Sequence, residues 1–417
     1  MTATPKASEH GTAFEPLSAT FAQNPYPAYA ALRDKGEPQF FADFDMWLVT
    51  RFDDVAGIAR DISMVRSPEF FMSEEEITEQ KRLQNWLDMP HHQRFVQFSM
   101  LDSDGPVHDR LRRQVFREFT PAFIARQRTM IQSFVDRLVD SLIDKGEIDF
   151  VEDLAAQVPG HIIGRVLGVP DEDCPQLRVW SERVVQFFDI DRSDARKALA
   201  EQATTEFYHY LLKLMAERRA APQEDLITRL IAAQDAGHLN EDELVSTCML
   251  ILMAGHGSTI DVLGSGMHAL LRFPDQMARL RHDPALIHTA IQEMFRFESP
   301  LPFFHRYATT DCVVGGKSFP RGTKFGLLYG AANRDPAAFG GDADVFDAGR
   351  NPNRHLAFGG GAHFCLGNHL ARLDMEVIFT TLLTRLSSIA LAEAEPQYKR
   401  GLSVRGPKAL RLALTPA

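Results

Sequence analysis

Apolar positions recur at three- and four-residue spacing over most of the chain. That rhythm predicts amphipathic helices at 26–34, 123–144, 153–167, 174–188, 196–218, 241–270, 275–281, 284–298 and 367–385. Strand-like runs are fewer, at 46–50, 311–314, 324–328 and around 409–414. Helices therefore outnumber strands, and the strands gather near the N-terminus and in the last third. The expected fold class is mainly α with a smaller β region. Between 331 and 357 the chain is rich in Asn, Asp, Pro and Gly and reads as a long irregular connection. Inside a compact domain such a connection usually has a function. There is no internal repeat or low-complexity tract.

With 417 residues and 45% apolar content, the chain can bury a large core, as one two-lobed unit or as two domains. Its 45 basic against 56 acidic residues give a net charge of −11. This argues against a nucleic-acid partner or an anionic membrane surface. The four cysteines, Cys174, Cys248, Cys312 and Cys365, are scattered and form no disulfide framework, so a reducing, cytoplasmic location is expected. Met1 to Gly11 is polar and lacks the apolar core of a signal peptide. No run of about 18 apolar residues suggests a membrane span.

The densest chemical signal is Phe358-Gly359-Gly360-Gly361-Ala362-His363-Phe364-Cys365-Leu366-Gly367. Glycines at 359, 360, 361 and 367 clear side chains from around one sulfur, so a flat, bulky cofactor has room to lie against the loop. After Gly367, Leu366, Leu370, Leu373 and Ile378 fall broadly on one helical side, which puts the sulfur near a helix N-terminus. Backbone N–H groups there favour a thiolate, the ligand that pushes electron density onto haem iron. His355, His363 and His369 lie nearby, but the other cysteines form no ligand pairs, which disfavours zinc.

At every fixed position this loop resembles the F-G-x-G-x-H-x-C-x-G signature of the cytochrome P-450 superfamily of haem-thiolate monooxygenases. The resemblance extends from Asn24-Pro25-Tyr26 to the tail. It implies a single domain over 1–417, a triangular helical prism enclosing haem b, with Cys365 as the iron ligand and Phe358 and Gly367 shaping the cofactor loop. Glu293-Met294-Phe295-Arg296 matches the family's E-x-x-R helix, and Arg350, after Phe346-Asp347, corresponds to the meander arginine that completes a structural brace. His108 and Arg112, four apart on one helical face, resemble the haem-propionate contacts of the family, as do Arg306 and His363. Arg110, Arg113 and Arg117 on the same helix present either a solvated face or a docking site for an acidic electron-transfer partner.

Ala254-Gly255-His256-Gly257-Ser258-Thr259 lies within a long apolar run and resembles the oxygen-activation segment, whose consensus is Ala-Gly-x-acid-Thr. Two glycines in a helix interior, each costing about 1 kcal/mol against alanine, suggest a local opening. Aligned on Ala254 and Gly255, the acid is replaced by Gly257 and the threonine by Ser258. Gly255, Gly257, Ser258 and Thr259 are the candidate catalytic positions. The proton relay must then be slowed or rerouted through water, Thr259, Asp261 or, less suitably, His256; alternatively Gly257 only makes room for a substrate.

The resemblance also places a substrate pocket near Phe95, Phe98, Phe187, Phe188, Ala254, Phe303 and Phe304, with Phe70, Phe71 and Trp86 in the same regions. Such a lining suits an apolar, possibly aromatic, substrate of small to medium size. No basic residue is clearly placed among them, so the pattern offers no anchor for a carboxylate. The expected activity is O2-dependent hydroxylation or O-dealkylation, with electrons from a separate ferredoxin or flavodoxin-type donor and its NAD(P)H reductase. Two alternatives stand beside it: a peroxide-driven enzyme, prompted by Gly257, and a non-catalytic haem sensor or carrier.

Overall fold

Two consecutive helices, Glu241–Ala254 and Gly257–Arg272, leave almost no side chain exposed. They were expected as one helix over 241–270. The break falls at Gly255 and His256, where the backbone of His256 turns aside at φ −113° and ψ −76°. Asn240 starts the first helix in a reciprocal capping box with Glu243, which satisfies two otherwise unpaired backbone donors. Around it pack the helices Pro90–Gln97, Val158–Leu167, Cys174–Val185 and Asp194–Ala220. The stretch Glu241–Arg272 is long and apolar enough to cross a membrane, against the expectation that no segment would be. Yet 78% of its most apolar window is buried within the fold, as in a core helix. The computed structural model describes residues 14–417; the polar segment Met1 to Gly11 lies outside the described residues.

The architecture is helix-rich with three smaller sheets, the class expected. The main sheet runs in the order Gln39–Phe41, Met46–Val49, Lys324–Leu328, Phe303–Ala308, Met64–Val65. Met46–Val49 and Lys324–Leu328 are parallel, and the other pairs are antiparallel. Glu147–Asp149, Arg411–Pro416 and Leu386–Leu391 form a second sheet, and Cys312–Val314 with Lys317–Phe319 a hairpin.

Where the structure differs from the periodicity, packing or caps account for it. The region 123–144 divides into Pro121–Ala125 and Arg128–Leu142. Glu74–Leu83 buries no residue, so it carries no apolar stripe, and the capping box of Ser73 and Glu76 sets its start. The helices Phe52–Arg60, Pro90–Gln97 and Leu226–Asp235 were also not anticipated. Phe303–Ala308, read as pocket lining and a propionate contact but not as a strand, is a strand hydrogen-bonded on both sides.

Candidate functional site

The cysteine loop is held by its backbone. The Cys365 N–H donates to the Phe358 carbonyl at 2.9 Å, and the Asn368 side chain donates to the Cys365 carbonyl at 2.9 Å. Gly359 and Gly361 take positive φ of 69° and 66°. At Gly361 a Cβ would also lie 2.6 Å from the Ala59 carbonyl oxygen, so the loop can pass that helix only as glycine. The Phe358 ring sits 4.5 Å from that of Phe295, with the Arg372 guanidinium 4.4 Å over its face. Burial pushes the Cys365 thiol above its ordinary value, and the Gly367 N–H, Arg112 and Arg372 only partly oppose it. The N–H at the helix start thus favours the thiolate, as expected, while burial works against it.

Behind the loop, Glu293 and Arg296 are fully buried and joined by two 2.7 Å hydrogen bonds. Arg350 Nε and Asn353 Nδ2 donate to the same carboxylate at 3.2 and 3.0 Å, as does the Asp347 N–H at 3.0 Å. Arg296 in turn donates to the carbonyls of Asn333, Ala343 and Val345. One ion pair thus fixes six points of the irregular connection that leads into the loop.

The structure brings the candidate anion-binding groups together. His108 is buried, with its ring 4.5 Å from that of His363. His363 shares a 3.0 Å hydrogen bond with Asp104, whose other oxygen accepts from the N–H groups of Arg66 and Ser67. Arg112 donates to the Phe364 carbonyl at 2.7 Å. Among the described arginines that are buried, Arg306 alone touches no carboxylate; its only hydrogen bond goes to the His305 carbonyl. Burial pulls its guanidinium down to about 10. A buried cation without a counter-charge is costly, so the donor set fits a bound dianion such as a haem edge. Arg110, in contrast, is tied to Glu243 at 2.5 and 2.9 Å and is not a free docking cation.

The oxygen segment is closed on one side and open on the other. A Cβ on Gly255 would meet Ile163 at 2.8 Å, and one on Gly160 would meet the His256 ring at 2.8 Å, so Gly255 and His256 press against Val158–Leu167. Ala254 is exposed at the end of a helix buried from Glu243 to Met253, Ser258 is half-buried, and nothing lies within 4 Å of a Cβ built on Gly257. Ser258 donates to the Ala254 carbonyl at 3.3 Å, across the helix break. Thr259 is buried, and Asp261 is held by Lys399 at 2.7 Å, so neither opens toward that side. His256 faces away, and Nε2 has no partner.

Of the expected pocket phenylalanines, Phe98, Phe188, Phe303 and Phe304 are half-buried. Phe95 and Phe187 are corrected to core: their exposures of 2% and 0% leave no face for a ligand, because His92, Phe188 and Trp86 pack on them. Arg66, Asp104, Asn368 and Arg372 were missed. Only Asn368 and Arg372 carried a local signal, being polar residues in the first turns of the helix after the cysteine.

The Cytochrome P450 family model matches residues 69–413. A polyketide biosynthesis cytochrome P450, PksS, of Bacillus subtilis (strain 168) is 34% identical over 96% of this chain and 98% of its own. The biotin biosynthesis cytochrome P450 of the same organism is 36% identical over 92% and 94%. Among solved structures, P450BioI in complex with an acyl carrier protein ligated to hexadec-9-enoic acid superposes with a TM-score of 0.87 at 32% identity, covering 95% of this chain and 99% of that one. A myxobacterial cytochrome P450 in complex with myristic acid gives 0.87 at 34% identity, covering 96% and 99%. The chain belongs to the cytochrome P450 family, the haem-thiolate monooxygenases.

Proposed function

We propose that this enzyme hydroxylates or O-dealkylates a small to medium apolar substrate, with haem b held through Cys365 and electrons drawn from a separate ferredoxin or flavodoxin-type donor and its NAD(P)H reductase. The observation that carries the reading is the one-sided opening of the core helix at Ala254, Gly257 and Ser258. Haem so bound supplies the activation of O2 and the insertion of one oxygen atom into the substrate. His108, Arg112, Arg306 and His363 hold its carboxylates, and Phe358 and Gly367 shape the loop beneath it. Ala254 and Gly257 keep the open side of the helix clear, while the Ser258 hydroxyl, released from the Ala254 carbonyl, orients the water that brings protons. Phe98, Phe188 and Phe304 exclude bulk water from the substrate; Phe303 lies on the strand face opposite Phe304 and Arg306. Acyl ligands in two related structures are consistent with an apolar substrate of this kind.

A second reading rests on Gly257. Where the family carries a carboxylate this chain has open space, and an enzyme fed by hydrogen peroxide has no need of that relay. Product yield with NAD(P)H and redox proteins, set against yield with hydrogen peroxide, separates the two. Turnover with peroxide alone would favour the second reading. Cys365→Ala should abolish the long-wavelength Soret band of the reduced carbon monoxide adduct; its persistence would show that the sulfur is not the ligand.

A further inference from the structure

Lys324 opens a strand in which every residue is buried, and it is itself only 9% exposed. Among the described residues its ammonium makes no hydrogen bond and no ion pair. Its neighbours are aromatic: Nζ lies 5.9 Å from the Phe44 ring and 5.7 Å from that of Tyr307, its partner across the sheet. The Phe44 ring also meets the guanidinium of Arg192, at 5.2 Å. Arg192 comes from the connection between the helices Cys174–Val185 and Asp194–Ala220 and lies 5.0 Å over Trp86. It donates once, to Gln84, and its buried Nε has no partner. Two cations thus share one aromatic ring in a half-buried place, and neither contacts a carboxylate.

The nearby acids are engaged elsewhere. Asp102 binds Arg66 at 2.6 Å and Asp191 binds Arg196 at 3.2 Å. Asp189 accepts the N–H groups of Leu402 and Ser403. Asp45 is exposed and reaches Lys324 only at long range. Burial, reinforced by Arg192 and Arg66, takes the Lys324 ammonium down to about 7. A buried charge in this state gains from any anion that comes within reach.

The cations also border apolar surface. Trp86 packs against Phe188 at 5.7 Å, and strand alternation puts Phe303, His305 and Tyr307 on one face beside Lys324. Phe188 belongs to the pocket proposed above, and Trp86 joins it to Arg192. We propose that Lys324 and Arg192 form an anion-binding subsite at the edge of the substrate pocket, and that the substrate is an apolar chain ending in a carboxylate, held by that end while a remote carbon is oxidised. This deepens the monooxygenase reading and rests on it.

The test is calorimetric binding of dodecanoic acid and of dodecan-1-ol to the haem-loaded enzyme at pH 6.5, repeated with Lys324→Met and Arg192→Met. The parent should prefer the acid by roughly tenfold, the order expected for charge-assisted contacts. Each variant should reduce that preference toward one by weakening the acid while leaving the alcohol unchanged. Parent enzyme that binds no acid, or a preference that survives both substitutions, overturns the proposal. The reduced carbon monoxide spectrum of each variant reports whether the haem site is intact. If the acid preference behaves as stated but no product forms with either oxidant, the monooxygenase reading fails while the subsite stands.

Discussion

The carboxylate of Glu293 meets the guanidinium of Arg296 through two 2.7 Å hydrogen bonds with both side chains wholly buried. Three further donors, from Asp347, Arg350 and Asn353, converge on the same two oxygens. Removing the negative charge leaves Arg296 unpaired in a dry site, a loss of about 3–5 kcal/mol. Glu293→Gln should therefore lower stability by that order and release haem on purification. Arg350 also pairs with the exposed Asp342 and is itself partly open, so Arg350→Met should cost roughly 1 kcal/mol and retain haem. Denaturant titration with haem-to-protein ratios checks both; equal losses in the two variants would refute this ranking.

Gly361 meets two constraints at once, a φ of 66° and a carbonyl oxygen 2.6 Å from where a Cβ would stand. The atom in the way is backbone, so it cannot swing aside. Gly361→Ala should cost about 1–3 kcal/mol and shift the cysteine loop off Ala59. At Gly367 nothing lies within 4 Å and φ is −81°. Gly367→Ala should thus be the mild control for folding, read by melting temperature before haem is added. If the two substitutions destabilise alike, contact with Ala59 is not what requires glycine at 361.

These differences show which features a sequence can reveal. The cysteine loop was legible because its constraints are local, with each glycine and the cysteine fixed by backbone geometry within ten residues. The same holds for Glu293 and Arg296, one helical turn apart. The pocket was only half legible, since Phe95, Phe187 and Phe188 look alike in sequence, and only tertiary packing makes the first two core. The cations on Phe44 were not legible at all. Lys324, Arg192 and Phe44 come from three separate elements, and only the pairing of Lys324 with Tyr307 places the ammonium there. The break at His256 depends similarly on Gly160, which admits the imidazole ring.

Part of the acid sensitivity should follow from His92, the rest from His256 and His355, which burial depresses as far. The Nδ1 of His92 meets Thr204 at 3.2 Å, Nε2 has no partner, and burial together with the Arg192 charge takes the imidazole down to about 3. In the unfolded chain it titrates near 6.5. Between these values the unfolded state holds the extra proton, so stability must fall as the pH drops from about 6.5 toward 3. This group contributes no further loss below that. His92→Gln should partly flatten the melting temperature against pH between 6.5 and 4; curves that stay parallel to the parent would exclude His92 as a cause.

Gly257→Glu asks whether the missing carboxylate limits proton delivery. The position has room for a side chain and lies in the first turn of the helix Gly257–Arg272, where a negative charge is favoured and glycine is a poor helix former. Stability should therefore hold or rise by up to about 1 kcal/mol. With an acid beside Ser258, product formed per O2 consumed should rise, and turnover limited by proton transfer should gain roughly tenfold or more. The solvent isotope effect should shrink in parallel, and peroxide-driven turnover should not gain. If the variant folds with its melting temperature intact and coupling does not improve, protons already reach the pocket by another route, and Ser258→Ala in the parent would then show whether its hydroxyl lies on that route.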